Sequence, residues 1–136
     1  MKIHHVGYLS KNINKSLASF EELGYRAETE IVYDPLRDID IVFLQNDGYR
    51  VELVSPKSKA SPVYDTLKKL GDGPYHICYI CDDIEEKMEE LREKGYMPTG
   101  EIEPAVAIGG KRVCFMFRRQ VGIIELLEDK EKENEE

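Results

Sequence analysis

No stretch of this 136-residue chain approaches the roughly 18 consecutive apolar residues of a membrane helix. Met1–Gly7 run straight into a strand pattern without the layout of a signal peptide, which predicts a cytoplasmic protein with no membrane partner. Cysteine is scarce. Three residues, an odd number, argue against a disulfide framework and for reduced, buried thiols. Cys78 and Cys81 do form a C-x-x-C. Yet Cys78 lies within a strand pattern rather than at the opening of a helix, and a zinc site would still need a fourth ligand after Cys114. Positive charge is short as well: 19 Lys and Arg against 27 Asp and Glu leave a net charge of −8, which disfavours nucleic acid and anionic membrane as partners. Part of that acidity lies in Glu128–Glu136, EDKEKENEE, and from residue 129 on the chain reads as a solvated, disordered tail.

What the chain does have is a repeat. His5 and His76 lie 71 residues apart, and Tyr8/Tyr79, Ile13/Ile84, Leu17/Met88, Phe20/Leu91, Gly24/Gly95 and Tyr25/Tyr96 keep the same offset. A module written twice has an apolar face that would stay unburied in each half alone. With 41% hydrophobic residues, the length fits one domain built of two halves.

Each half reads in the same order. In the first, Lys2–Ser10 is a strand pattern, Asn12 is a helix cap, and Ile13, Leu17, Phe20 and Leu23 form a helical stripe that Gly24 stops. Strand patterns follow at Arg26–Tyr33, Asp38–Gln45 and Tyr49–Ser55, the last two joined by the hairpin signal Asn46, Asp47, Gly48. Residues 57–73 read as a polar linker with an amphipathic piece at Val63–Leu70. The order then returns: a strand to Ile80, a helix from Asp83 to Lys94, Gly95, and strands at Met97–Ile102, Arg112–Phe117 and Gly122–Leu127. The expected fold class is α+β. Two tandem βαβββ modules, residues 2–56 and 74–128, form an open, cupped mixed sheet around a central metal cavity within one domain, 1–128.

Strand alternation puts His5, Gly7 and Leu9 on one face and His4, Val6 and Tyr8 on the other. The repeat selects His5 as the partner of His76. It leaves His4 as an outer-face residue packed under a helix. In the final strands YRVELVSP and GIIELLED, Glu52 aligns with Glu125 at an offset of 73, so the second half has gained two residues between Tyr96 and Gly122. A lone strand histidine is usually a satisfied core residue, and a strand glutamate usually faces solvent. Here four ligand-type residues occupy symmetric positions, and both glutamates have apolar neighbours on either side. His5, Glu52, His76 and Glu125 make an N2O2 set that suits a divalent Zn, Ni, Co or Mn with positions left for substrate.

The H-H-V-G-Y start, V-E-L-V, P-Y-H-I-C-Y-x-x-D-D-I, G-G-K-R-V-C-F and G-I-I-E-L-L, in that order, resemble the vicinal oxygen chelate superfamily, which includes glyoxalase I and methylmalonyl-CoA epimerase. The resemblance covers residues 2–128 and implies the same four ligands. It points away from extradiol dioxygenases, whose two His and one Glu hold iron, and from metal-free resistance and binding proteins of this fold. It implies a metal-dependent isomerase or lyase working through an enolate or enediolate, on an acyl-CoA or a 2-oxo thiol adduct. The alternative is a non-catalytic ligand-binding or resistance-type protein. Gly109–Phe115 and the D-D-I helix start look more like the epimerase than glyoxalase I. The epimerase family usually has an acidic residue just before its third strand. A gapless match puts Leu36 there, with Asp34, Asp38 and Asp40 nearby. Glu125 or Glu52 is the expected base. For an acyl-CoA, Arg50, Lys111, Arg112, Arg118 and Arg119 are the candidate phosphate contacts. Modules of this superfamily close their sheet within one chain or across a homodimer.

Overall fold

The computed structural model describes residues 1–130. Apart from Asp129 and Lys130, the expected acidic tail lies outside the described residues. The chain divides into two compact units: a first, His5–Tyr75, and a second, Met1–His4 with the chain from His76 on.

The first unit contains β1 (Lys2–Leu9, from His5), α1 (Ile13–Glu22), β2 (Arg26–Ala27), β3 (Val32–Asp34), β4 (Ile39–Asn46), β5 (Tyr49–Pro56) and α2 (Pro62–Leu70). The second has β6 (Gly73–Cys81, from His76), α3 (Ile84–Glu93), β7 (Met97–Pro98), β8 (Glu103–Ala105), β9 (Lys111–Arg118) and β10 (Gly122–Glu128). In the first, β1 pairs parallel with β5, β5 antiparallel with β4, and β4 antiparallel with both β2 and β3. The second repeats this with β6, β10, β9, β7 and β8. The mixed α+β architecture of two βαβββ modules is as expected.

Ten-residue helices are marginal alone, so α1 and α3 depend on their caps and on burial. Asn12 accepts the Lys15 N–H at 3.1 Å, and Asp83 accepts the Glu86 N–H at 3.0 Å. Each helix ends in the same way: Gly24 and Gly95 take φ of +99° and +103°, and the N–H groups of Tyr25 and Tyr96 return to the Phe20 and Leu91 carbonyls. Ile13, Leu17 and Phe20 pack on Val42, Leu44, Val51 and Leu53, while Ile84, Met88 and Leu91 pack on Cys114, Met116, Ile124 and Leu126. Leu23 departs from the expected stripe at 71% exposed, because it is the cap residue where the chain leaves the helical spiral.

Each expected second strand is broken. Ala27 faces Leu44 and Val32 faces Ile41, so Glu28–Ile31 lie opposite only Val42 and Phe43. The Thr29 hydroxyl accepts the Phe43 N–H at 3.2 Å, in place of a backbone carbonyl. Thr99–Ile102 repeat the interruption opposite Cys114 and Phe115. The two added residues of the second half also find their places. One lies between β8 and β9, where residues 106–110 replace 35–38, and one in the β9–β10 turn, where 119–121 replace 47–48. The Asp47–Gly48 turn has φ of +54° and +83°, as its sequence requires.

The stretch read as linker contains α2, capped by Ser61 with Pro62 in its first turn. It is tied to the β3–β4 connection: the Lys57 N–H donates to the Asp38 carbonyl at 2.9 Å and the Ser61 hydroxyl to the Arg37 carbonyl at 3.0 Å. Among the described residues, no helix is long and apolar enough to cross a membrane.

Candidate metal centre

The ligand-type residues emerge from register. In the first unit Gly7 lies beside Glu52, and His5, two residues earlier on β1, shares that face. Its Nε2 stands 3.4 Å from Glu52 Oε1. In the second, Glu125 lies beside Cys78, and His76 Nε2 stands 3.1 Å from Glu125 Oε1. His5, Glu52, His76 and Glu125 are 1, 6, 4 and 4% exposed. The flanking Val51, Leu53, Ile124 and Leu126 point to the helices, so the glutamates occupy the opposite face, and that face is covered too.

Burying an imidazole and a carboxylate costs several kcal/mol unless charge and hydrogen bonds offset it. The donor spacing within each pair has a second meaning. Ligand atoms about 2.1 Å from one cation are about 3.0 Å apart at a right angle and about 3.4 Å apart at a tetrahedral angle. Both pairs have this separation, and nitrogen with carboxylate oxygen is a donor set for borderline first-row dications. The residues present fit a metal.

Two phenylalanines complete the surroundings. Phe43 lies directly across from Glu52 and meets the His5 ring edge-to-face at 5.3 Å and 71°. Phe115 lies across from Glu125 and meets His76 at 5.2 Å and 89°. The repeat concealed them, because they are 72 residues apart, between the offsets of 71 and 73. Cross-strand register against the glutamates was the signal that finds them.

The basic residues divide by face. Arg50 shares the face of Glu52 and pairs with Glu28 at 2.8 Å, and Lys111 shares the face of Phe115 and pairs with Asp129 at 3.6 Å. Arg112 and Arg118 alternate with Cys114 and Met116 and therefore lie on the α3 side. Arg112 bridges Glu85 and Glu128, which pulls the Glu85 carboxyl below its ordinary range and raises the guanidinium. Arg118 donates to the Lys94 carbonyl and stacks on Tyr96. Arg119 is exposed in the β9–β10 turn. Asp83, Glu85 and Glu128 offer ligand atoms within 4.8 Å of one another, but the Arg112 guanidinium already supplies their counter-charge.

Leu36 is exposed in the β3–β4 turn. The acids around it are engaged: Asp34 by the Leu36 and Arg37 N–H groups and the Arg37 guanidinium, Asp38 by Tyr33 and Ser58, and Asp40 by Lys57. His4 is half-buried. Cys78 and Cys81 point to opposite faces of β6 into separate cores, and burial pushes the Cys114 thiol up, which keeps it protonated.

A family model for the Glyoxalase/Bleomycin resistance protein/Dioxygenase superfamily matches residues 4–115. The chain belongs to this superfamily, the vicinal oxygen chelate proteins. The ethylmalonyl-CoA/methylmalonyl-CoA epimerase of Cereibacter sphaeroides is 29% identical over 118 residues, covering 85% of this chain and 87% of that one. Among solved structures, a hypothetical protein from Bacillus halodurans C-125 matches with a TM-score of 0.83 at 27% identity, over 95% of this chain and 94% of the other. The methylmalonyl-CoA epimerase of Mycobacterium tuberculosis matches in fold, with a TM-score of 0.79 at 20% identity over 93% and 86%. Each vicinal oxygen chelate module of this chain thus carries one buried His–Glu pair backed by a phenylalanine.

Proposed function

We propose that this vicinal oxygen chelate protein is a metal-dependent isomerase of the methylmalonyl-CoA epimerase type, acting on an acyl-CoA with an acidic hydrogen at its α-carbon. The observation that carries this reading is the buried His–Glu pair found once in each unit, with donor atoms spaced as neighbouring metal ligands are. His5, Glu52, His76 and Glu125 would hold one divalent cation, Zn, Ni, Co or Mn, whose charge the two carboxylates balance. When bound, such a cation polarises a substrate carbonyl and lowers the pKa of the adjacent C–H. Removal of the proton falls to the chain, with Glu125 or Glu52 as general base. Arg50, Lys111, Arg112 and Arg118 are the candidate contacts for the phosphates of coenzyme A, and all four already hold a partner within the chain. Arg50 and Lys111 are favoured because they lie on the ligand-bearing faces, whereas Arg112 and Arg118 lie on the α3 side. The substrate class is supported by the 29% identical relative named for ethylmalonyl-CoA and methylmalonyl-CoA.

Metal analysis of the purified protein, followed by deuterium wash-in at the α-carbon of methylmalonyl-CoA, tests the reading. Stoichiometric metal and exchange that stops on chelation are expected. Replacing the base, by Glu125→Gln or Glu52→Gln, slows exchange by about 100-fold or more. A Glu125→Gln protein with its metal and full turnover removes Glu125 from that role. Absence of bound metal, with no stabilisation by Ni2+, Co2+ or Zn2+, sinks the reading. Metal without exchange shifts it to glyoxalase-type chemistry on a 2-oxo thiol adduct or to non-catalytic binding.

A further inference from the structure

We propose that Phe43 and Phe115 are positioning residues for the two histidines, holding each imidazole plane so that Nε2 stays directed at its glutamate. The inference rests on the metal reading above and adds residues to it. Both rings stand on the face away from α1 and α3, since their neighbours Val42, Leu44, Cys114 and Met116 belong to the cores packed under those helices. Each is directly across from the glutamate and touches the histidine edge-to-face.

The two copies of the module supply an internal comparison. On the ligand-bearing face of β1, β4 and β5, register pairs each residue with one on β6, β9 and β10. Gly7 has become Cys78, Leu9 Ile80, Ile39 Lys111, Ile41 Val113, Gln45 Phe117, Arg50 Ile123 and Val54 Leu127. His, Phe and Glu alone are the same in both copies on this face. A phenylalanine needed only for bulk had the freedom to drift that its neighbours used.

The physical role follows from rotamers. The terminal torsion of histidine is broad, so an imidazole without a side wall samples orientations in which Nε2 leaves its partner. An aromatic ring packed edge-to-face removes that freedom before any ligand arrives. The same ring keeps water from one side of the carboxylate, which strengthens its attraction for a cation. Residues acting through a ligand in this way typically change metal affinity by about 10- to 100-fold.

The test is titration of the chelator-stripped full chain with Co2+, read by calorimetry and by the visible Co2+ spectrum. Phe43→Leu and Phe115→Leu are each expected to weaken Co2+ binding about 10-fold or more and to alter the spectrum. Phe115→Tyr keeps the ring on a half-buried position and should stay within about 3-fold of the parent, tenfold being about 1.4 kcal/mol. Melting of the metal-free proteins in chelator shows that each variant folds, and Phe→Met at either position carries the test if a leucine variant does not. Folded leucine or methionine variants that bind Co2+ as tightly as the parent overturn the positioning role and leave the metal reading standing. A parent protein that binds no Co2+ overturns both.

Discussion

Three acidic side chains of the first unit show how surroundings assign different work to one chemistry. Asp34 is buried, but two backbone N–H groups and the Arg37 guanidinium at 2.7 Å occupy its oxygens, so it shapes a turn. Glu52 is buried facing an imidazole, where a carboxylate can bind a cation or take a proton. Asp38 is half-buried in a left-handed conformation, φ +52°, and accepts from the hydroxyls of Ser58 and Tyr33. Those hydrogen bonds favour its ionised form and lower its pKa from the ordinary 3.8. A carboxyl depressed on folding contributes stability that is full above its unfolded value and fades as pH falls through the lower folded one. Asp38→Asn is therefore expected to melt below the parent at pH 7, with the two converging as the pH drops below 3.8. Asparagine tolerates the left-handed backbone, so the comparison probes the carboxylate, its charge together with its second acceptor oxygen, and not the backbone. Melting curves between pH 7 and 3 check it. A gap that is unchanged in acid shows that the carboxylate contributes nothing through its ionisation.

At the scale of elements, the helices and the hairpin were legible because their signals are local: an apolar stripe, a capping Asn or Asp, a terminal Gly, and Asn-Asp-Gly between strands. The break between β2 and β3 was not, since nothing in the Arg26–Tyr33 pattern announces that four residues will face two, or that a threonine hydroxyl will replace a carbonyl. The α2 helix was hidden for another reason. Its Ser61 cap and Pro62 are proper start signals, but they sit in a stretch whose polarity reads as linker. The histidines and glutamates were legible through the repeat, while Phe43 and Phe115 needed cross-strand register. The glycine stops can be tested directly. A Cβ at Gly24 or Gly95 meets no neighbour closer than 3.5 Å, so substitution there probes the backbone alone. Gly24→Ala and Gly95→Ala should each cost about 1–2 kcal/mol in denaturant unfolding, with unchanged slope. A cost near zero at either site means that the helix end has moved to relieve φ.

For the whole molecule, duplication raises a question that neither unit answers alone: whether each His–Glu pair binds its own cation or both pairs serve one. A single neutral imidazole with one carboxylate is a weak site, and four ligands balance a dication and hold it with two open positions in an octahedral shell. The proposed function requires the shared arrangement, and linkage distinguishes it. Co2+ at a hundredfold excess over its dissociation constant stabilises a one-site protein by about 2.7 kcal/mol, a melting shift on the order of 10 °C here. With one shared cation, His5→Ala alone and His76→Ala alone each remove most of that shift. The double variant then loses little more than either single one, the non-additivity of groups acting on one ligand. With separate sites, each single variant keeps about half of the stabilisation, and the double variant loses the sum. Measured at fixed free Co2+ against the chelated proteins, the second pattern ends the four-ligand reading. The first makes the two copies of the module interdependent for metal binding.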